Sequence, residues 1–173
     1  MGNGIVVCYY GDGKGKTTAA LGLTLRASGY NRKILFAQFI KGSWKTGEDR
    51  GLSRHTNIDH KKFGLGFVGI EGDKISHRKH SVAAAKGIEY VKNNMARYDI
   101  IVLDEIHGAI EKKLIGEESV LEIIRSKKPT QTVILTGRPK IKSIIEMSDL
   151  TTQMKKIKHP FDSGVIAIKS IDW

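Results

Sequence analysis

The sequence holds a single cysteine and three prolines in 173 residues. No apolar run approaches the roughly 18 residues that a membrane span needs. A lone thiol rules out a disulfide framework within the chain. Cys8 lies in the first apolar run and reads as a small buried hydrophobe, with the cytoplasm as the expected compartment. Acid is scarce as well. The 18 Asp and Glu face 29 Lys and Arg, giving a net charge of +11 and a pI near 9.7. Such a chain attracts polyanions. Its cations, however, are scattered in pairs: Lys61-Lys62, Arg78-Lys79, Lys112-Lys113, Lys127-Lys128 and Lys155-Lys156. No block is long enough for a basic arm, so a solvated lysine-rich surface is expected and nucleic-acid binding is disfavoured. No charged leader precedes the first apolar run, and position 6 is Val where a myristoylation signal needs Ser or Thr. With 40% hydrophobic and 27% charged residues, one soluble domain over residues 1–173 is expected.

What the chain does have is Gly11-Asp12-Gly13-Lys14-Gly15-Lys16-Thr17-Thr18. The apolar run Ile5 to Tyr10 leads in, and a helix-like stretch, Thr17 to Ala27, leads out. That strand, glycine loop and helix order is the phosphate-binding loop. Glycines let the backbone turn several N–H groups toward an anion, and the following helix adds its positive dipole end. Lys16 would reach the phosphate oxygens, and Thr17 would offer its hydroxyl to magnesium. Three residues separate Gly11 from Gly15 where the usual pattern has four, and Tyr10 occupies the expected first-glycine position.

Further along, Lys33 to Ile40 reads as a second buried strand and Ile58 to Phe63 as a weaker third. The polar stretch Lys41 to Asn57 between them reads as an irregular functional loop. Val82, Ala85, Ile88, Val91 and Met95 repeat at helical spacing, which predicts a helix over about 76–96. Ile100 to Leu103 fits a central parallel strand. Glu117 to Arg125 fits a helix with acids first and a base last. Thr132 to Leu135 is a further strand, followed by a short helix through Met147. Leu150 to Ile157 and Val165 to Ile171 are the last predicted strands. Alternating strands and helices imply an α/β domain with a mostly parallel sheet flanked by helices.

The buried run Ile100 to Leu103 ends in Asp104-Glu105. In a parallel sheet, strand ends and phosphate loop share one edge, so Asp104 or Glu105 can hold magnesium opposite Thr17. Asp104-Glu105-Ile106-His107 also spells a DExH box, with His107 expected as a supporting or surface residue. His77 and His80 sit three apart on the predicted helix, where a solvated face is favoured over a metal pair.

These segments together resemble the ATP:cob(I)alamin (corrinoid) adenosyltransferases with a RecA-like phosphate-loop fold. The resemblance rests on Gly11 to Leu23 with Arg26-Ala27, on Gln38-Phe39-Ile40-Lys41-Gly42 with Thr46-Gly47-Glu48, and on Val102 to Ile106. Leu135-Thr136-Gly137-Arg138, and Lys158-His159-Pro160-Phe161 with Gly164, complete the set. The shortened loop is itself a trait of that family. The resemblance implies transfer of the 5′-deoxyadenosyl group of ATP to the cobalt of a reduced corrinoid, with triphosphate released. It implies Lys16 and Glu105 as catalytic residues. Gly11, Asp12, Gly13, Lys14, Gly15, Lys16, Thr17, Thr18, Arg26 and Phe67 would bind the substrates, and Thr17, Asp104 and Glu105 the Mg2+. ATP, Mg2+ and a corrinoid, an electron-donating flavoprotein, and a homodimer are the implied cofactors, substrates and partners.

Two departures stand out. The family's Gly-Phe-Thr-Trp segment corresponds to Gly66-Phe67-Val68-Gly69, so the Phe is kept and the Trp is not. Many members also carry an arm ahead of the first strand, whose dimer contacts are not carried over here. On the residues alone, an ordinary phosphoryl-transfer ATPase or kinase remains an alternative, as does a basic module that uses ATP as a switch.

Overall fold

The computed structural model describes residues 3–42, 44–66, 68–69 and 73–171. Six parallel strands form one sheet in the order β3-β2-β4-β5-β1-β6. They are β1 (Val6–Tyr10), β2 (Ile34–Gln38), β3 (Ile58–Lys62), β4 (Ile100–Asp104), β5 (Thr132–Gly137) and β6 (Leu150–Gln153). The helices are α1 (Lys16–Ser28), α2 (Gly47–Leu52), α3 (His77–Asn94), α4 (Ile106–Glu111), α5 (Glu117–Arg125) and α6 (Lys142–Glu146).

The central strands are apolar on both sides because both faces of the sheet are covered. Cys8, Leu35, Ala37, Ile101, Leu103, Val133 and Leu135 join one core with Ala84, Ile88 and Val91 of α3 and Val120, Ile123 and Ile124 of α5. The alternate residues Val7, Ile34, Phe36, Val102 and Ile134 form a second core with Ala20 of α1 and Leu52 of α2. All strands run the same way, so the ends of β1, β2, β4 and β5 deliver Tyr10, Gln38, Asp104 and Gly137 to one edge.

The two ends of the chain depart from the sequence pattern differently. β6 stops at Gln153, short of Ile157, and pairs with β1 alone. The predicted strand over Val165 to Ile171 does not form. Its hydrogen bonds are local turns, such as Val165 N–H to the Pro160 carbonyl at 3.1 Å and Ile171 N–H to Ile168 at 3.1 Å. Apolar residues make a strand only where a neighbouring ladder receives them, and Val165, Ile166, Ile168 and Ile171 remain exposed. The stretch Lys41 to Asn57 is less irregular than expected, since it contains α2.

Candidate active site

The glycine loop departs from β1 and enters α1 at Lys16. Gly11 and Gly15 carry φ values of 120° and 113°, a region open to glycine but costly for other residues. Gly11 has a second constraint, because a Cβ there would collide with the Met154 carbonyl oxygen. The chain following β6 thus lies directly against the loop. Gly13 N–H donates to the Met154 carbonyl at 2.8 Å, and Lys156 N–H donates to Asp12 Oδ1 at 3.2 Å.

Lys16 is buried, and its ammonium donates to the Gly13 carbonyl at 2.6 Å. Burial pushes its pKa down, while Glu105 pulls it back up. Thr17 Oγ1 donates to Asp104 Oδ1 at 2.8 Å, joining loop and strand end as the sequence predicts. Two further residues on neighbouring strands hold Asp104. Thr136 Oγ1 donates to the same Oδ1 at 2.8 Å, and Gln38 Nε2 donates to Oδ2 at 3.0 Å. Asp104, Thr136 and Gln38 are fully buried.

Glu105 follows in a left-handed backbone conformation, φ 59° and ψ 25°, which non-glycine residues rarely adopt and which clusters at functional sites. Its N–H donates to Thr136 Oγ1 at 2.9 Å. Burial, reinforced by the Asp104 carboxylate, raises the Glu105 pKa, and the Lys16 and Arg138 charges oppose that rise. Glu105 and Lys16 therefore act on one another at this edge.

Not every candidate arrives there. Arg26 is exposed near the far end of α1, about 15 Å along the helix axis from Lys16 at 1.5 Å per residue. The structure does not bring it to the phosphate loop. Asp12, Lys14 and Thr18 lie on the loop and the first turn of α1 with exposed side chains. Phe67 lies outside the described residues. Gly69 has φ 68°, and no atom of the described residues beyond its chain neighbours lies within 4 Å of where its Cβ would stand, so its backbone favours glycine there. His107 is fully buried rather than at the surface, with Nδ1 donating to the Pro139 carbonyl at 2.8 Å. His80 is also buried rather than solvated and meets Asp73 Oδ2 at 3.3 Å. The residues that sequence reasoning missed are Gln38 and Thr136. Their signal was there, as polar residues ending or nearly ending apolar strands beside Asp104.

Similarity to known proteins identifies the family. Residues 2–173 match the model of the family described as ATP:corrinoid adenosyltransferase BtuR/CobO/CobP. The chain belongs to that family. It is 34% identical to the corrinoid adenosyltransferase of Escherichia coli K12, over 98% of this chain and 86% of that one. With the corrinoid adenosyltransferase CobA of Salmonella typhimurium it shares 33% identity over the same proportions. Among solved structures, the flagellar accessory protein FlaH of Methanocaldococcus jannaschii superposes with a TM-score of 0.59 at 12% identity, covering 87% of this chain and 71% of that one. EssC ATPases 2 and 3 from Geobacillus thermodenitrificans give 0.52 at 12% identity, covering 98% of this chain and 36% of theirs. This adenosyltransferase-family chain therefore spans about a third of the EssC structure, and these likenesses show a shared fold. The family is that of a transferase acting with ATP on corrinoids.

Proposed function

We propose that the glycine loop holds the triphosphate of ATP while the 5′-carbon is attacked by the Co(I) of a reduced corrinoid. The cobalt electron pair forms the Co–C bond, the C5′–O bond breaks, and its electrons leave on triphosphate. The observation that carries this reading is the Thr17–Asp104 hydrogen bond of 2.8 Å beside the buried Lys16 ammonium. Lys16 and the loop N–H groups bind the leaving group and stabilise its growing charge. Co(I) is itself the nucleophile, so the chain has no proton to abstract in this step.

The oxygen donors at this edge suit Mg2+, a hard cation that keeps several waters and is held through one or two carboxylates and substrate phosphates. Thr17, Asp104 and Glu105 would hold it. The described residues contain no cluster of three or more His, Cys, Asp or Glu suited to a metal on their own, which fits an ion shared with the nucleotide. The ion would neutralise charge on the triphosphate.

An open hollow of about 520 Å³ is lined by Leu65, Val82 and Ala83 together with Ser76, Arg78, Lys79 and Lys86. It supports a corrinoid face on that side of the sheet. Reduction of Co(II) takes one electron, for which a reduced flavoprotein is the donor class we favour. A homodimer would give the exposed Ile157, Phe161 and Ile166 something to pack against. No helix of the described residues is long and apolar enough to cross a membrane, and we place the activity in the cytoplasm.

Product analysis tests the reaction. With ATP, Mg2+ and chemically reduced cobalamin, the expected products are triphosphate and a light-sensitive alkyl-cobalt spectrum. ADP with inorganic phosphate and an unchanged corrinoid spectrum would replace this reading with ordinary phosphoryl transfer.

A further inference from the structure

A line of buried and half-buried polar side chains runs from the nucleotide site across β2 and β3 to the start of α2. Asp104 Oδ2 accepts from Gln38 Nε2 at 3.0 Å. The Gln38 amide oxygen lies 2.8 Å from His60 Nε2. His60 Nδ1 in turn faces Asp49 Oδ1 at 3.3 Å. Asp49 Oδ2 accepts the Thr46 backbone N–H at 2.7 Å and the Lys62 ammonium at 2.7 Å.

The direction of the first two bonds follows from chemistry. A carboxylate oxygen only accepts, so Gln38 must turn its NH2 toward Asp104 and its oxygen toward β3. That oxygen also only accepts, so this arrangement uses the His60 tautomer with its hydrogen on Nε2, which donates. Without such a donor, the buried Gln38 oxygen would lose its partner, and the amide could rotate to present that oxygen to Asp104 instead. Two carbonyl-type oxygens would then face each other in a buried site, which is costly. Register supports the arrangement. Phe36 and Gln38 of β2 pair with His60 and Lys62 of β3, and the His60 ring meets Phe36 edge-on, with centroids 5.8 Å apart.

We propose that His60 is a positioning residue for the adenosyl transfer, fixing the Gln38 amide so that Asp104 keeps its orientation toward Thr17, and linking that site to the Thr46–Leu52 turn and helix. The inference rests on Asp104 serving the nucleotide–metal site as proposed above. His60 acts on Asp104 through Gln38 and meets the start of α2 through Asp49.

The test reads the Mg2+ dependence of ATP binding by calorimetry, alongside the melting temperature and the steady-state constants. His60→Phe retains a ring against Phe36 but removes the donor. It should raise the Mg2+ concentration for half-maximal ATP affinity by about tenfold, the usual size for losing a partner that orients a metal ligand. His60→Gln, which can still donate to the Gln38 oxygen, should restore most of that loss. Gln38→Met should give the same shift as His60→Phe, and the double variant should add nothing further, because both changes break one linkage. If His60→Phe folds poorly, Gln38→Met and His60→Gln still carry the comparison.

A lowered melting temperature with unchanged Mg2+ dependence, or additive shifts in the double variant, would overturn the proposal. Asp104→Asn separates the two levels. If it shifts the Mg2+ dependence and His60→Phe does not, the role of His60 falls and the site stands. If neither shifts it, both fall.

Discussion

Thr17 and Asp104, 87 residues apart in the chain, meet through a hydrogen bond of 2.8 Å. One is on the first turn of α1 and the other ends β4. Between their strands lies β5, whose Thr136 donates to the same oxygen of Asp104. Helix α1 and strand β5 thus converge on one carboxylate oxygen at the end of β4, and this is where the variants are most informative.

Lys16→Ala removes a buried ammonium from the loop. Charge-assisted contacts contribute about 1.5–3 kcal/mol each, so ATP affinity should fall roughly ten- to a hundredfold. The loss in kcat should be larger, since charge grows on the leaving group. Equilibrium ATP binding and single-turnover rates would show this, and wild-type values in both would remove Lys16 from the site.

Asp104→Asn replaces an acceptor oxygen with an NH2 in a place where Thr17, Thr136 and Gln38 all donate. Leaving such groups unpaired costs on the order of 1–3 kcal/mol. The variant should melt lower and need more Mg2+ for half-maximal activity. Thr17→Ala should shift the Mg2+ requirement with a smaller change in melting temperature. Unaltered Mg2+ titrations in both would place the ion elsewhere.

The pH dependence of stability carries a definite sign through Glu105. Its pKa is raised in the fold, chiefly by burial, so the native state binds the proton more tightly than the unfolded chain does. The stability from this group is full below the ordinary glutamate value and is lost as pH rises through the raised value. Glu105→Gln should remove that loss and melt higher than wild type above this window, without ATP or Mg2+. Parallel melting curves across pH for both proteins would contradict it.

Cys8 should be inert in the folded protein. Burial pushes its thiol pKa to about 11, and its Sγ lies 3.7 Å from His107 Nε2 in the interior. Since the thiolate is the reactive form, iodoacetamide at pH 8 should label the chain only after denaturation. Rapid labelling of the native protein would mean that β1 opens to solvent.

Val82→Asp probes the corrinoid side. Val82 is 49% exposed, so the fold tolerates the change, while a charge in the apolar hollow opposes burial of a corrinoid ring. The KM for corrinoid should rise by about tenfold or more, with the KM for ATP unchanged. Equal effects on both constants would detach this hollow from substrate binding.

The elements that were plain in the sequence are those with a one-dimensional signal. Strand β4 and helix α5 fall where the apolar run Ile100 to Leu103 and the polarity of Glu117 to Arg125 place them. The glycine loop and Asp104 were legible because backbone conformation and strand-end position restrict residue type. Gln38 and Thr136 carry only the weaker signal of a polar residue closing an apolar run, since their role comes from sheet order, which sets β2 and β5 on either side of β4. His60 depends on the same order one strand further out. The last predicted strand, Val165 to Ile171, failed for the converse reason. Its composition suits a ladder, but the described structure offers it none.

Strand β1 is the earliest strand in the chain, yet its two neighbours are β5 and β6, the latest. The glycine loop is braced besides by Met154 and Lys156. In chain order, then, the glycine loop precedes both strands that flank β1 and the residues that brace it. Until the final strand emerges, β1 exposes unpaired edges and the loop has no wall to shape it. Nascent chains halted at increasing lengths should crosslink a photoreactive ATP analogue only once residues beyond Lys156 are free of the tunnel. Nucleotide capture in this protein would then report that β6 and the residues through Lys156 are in place.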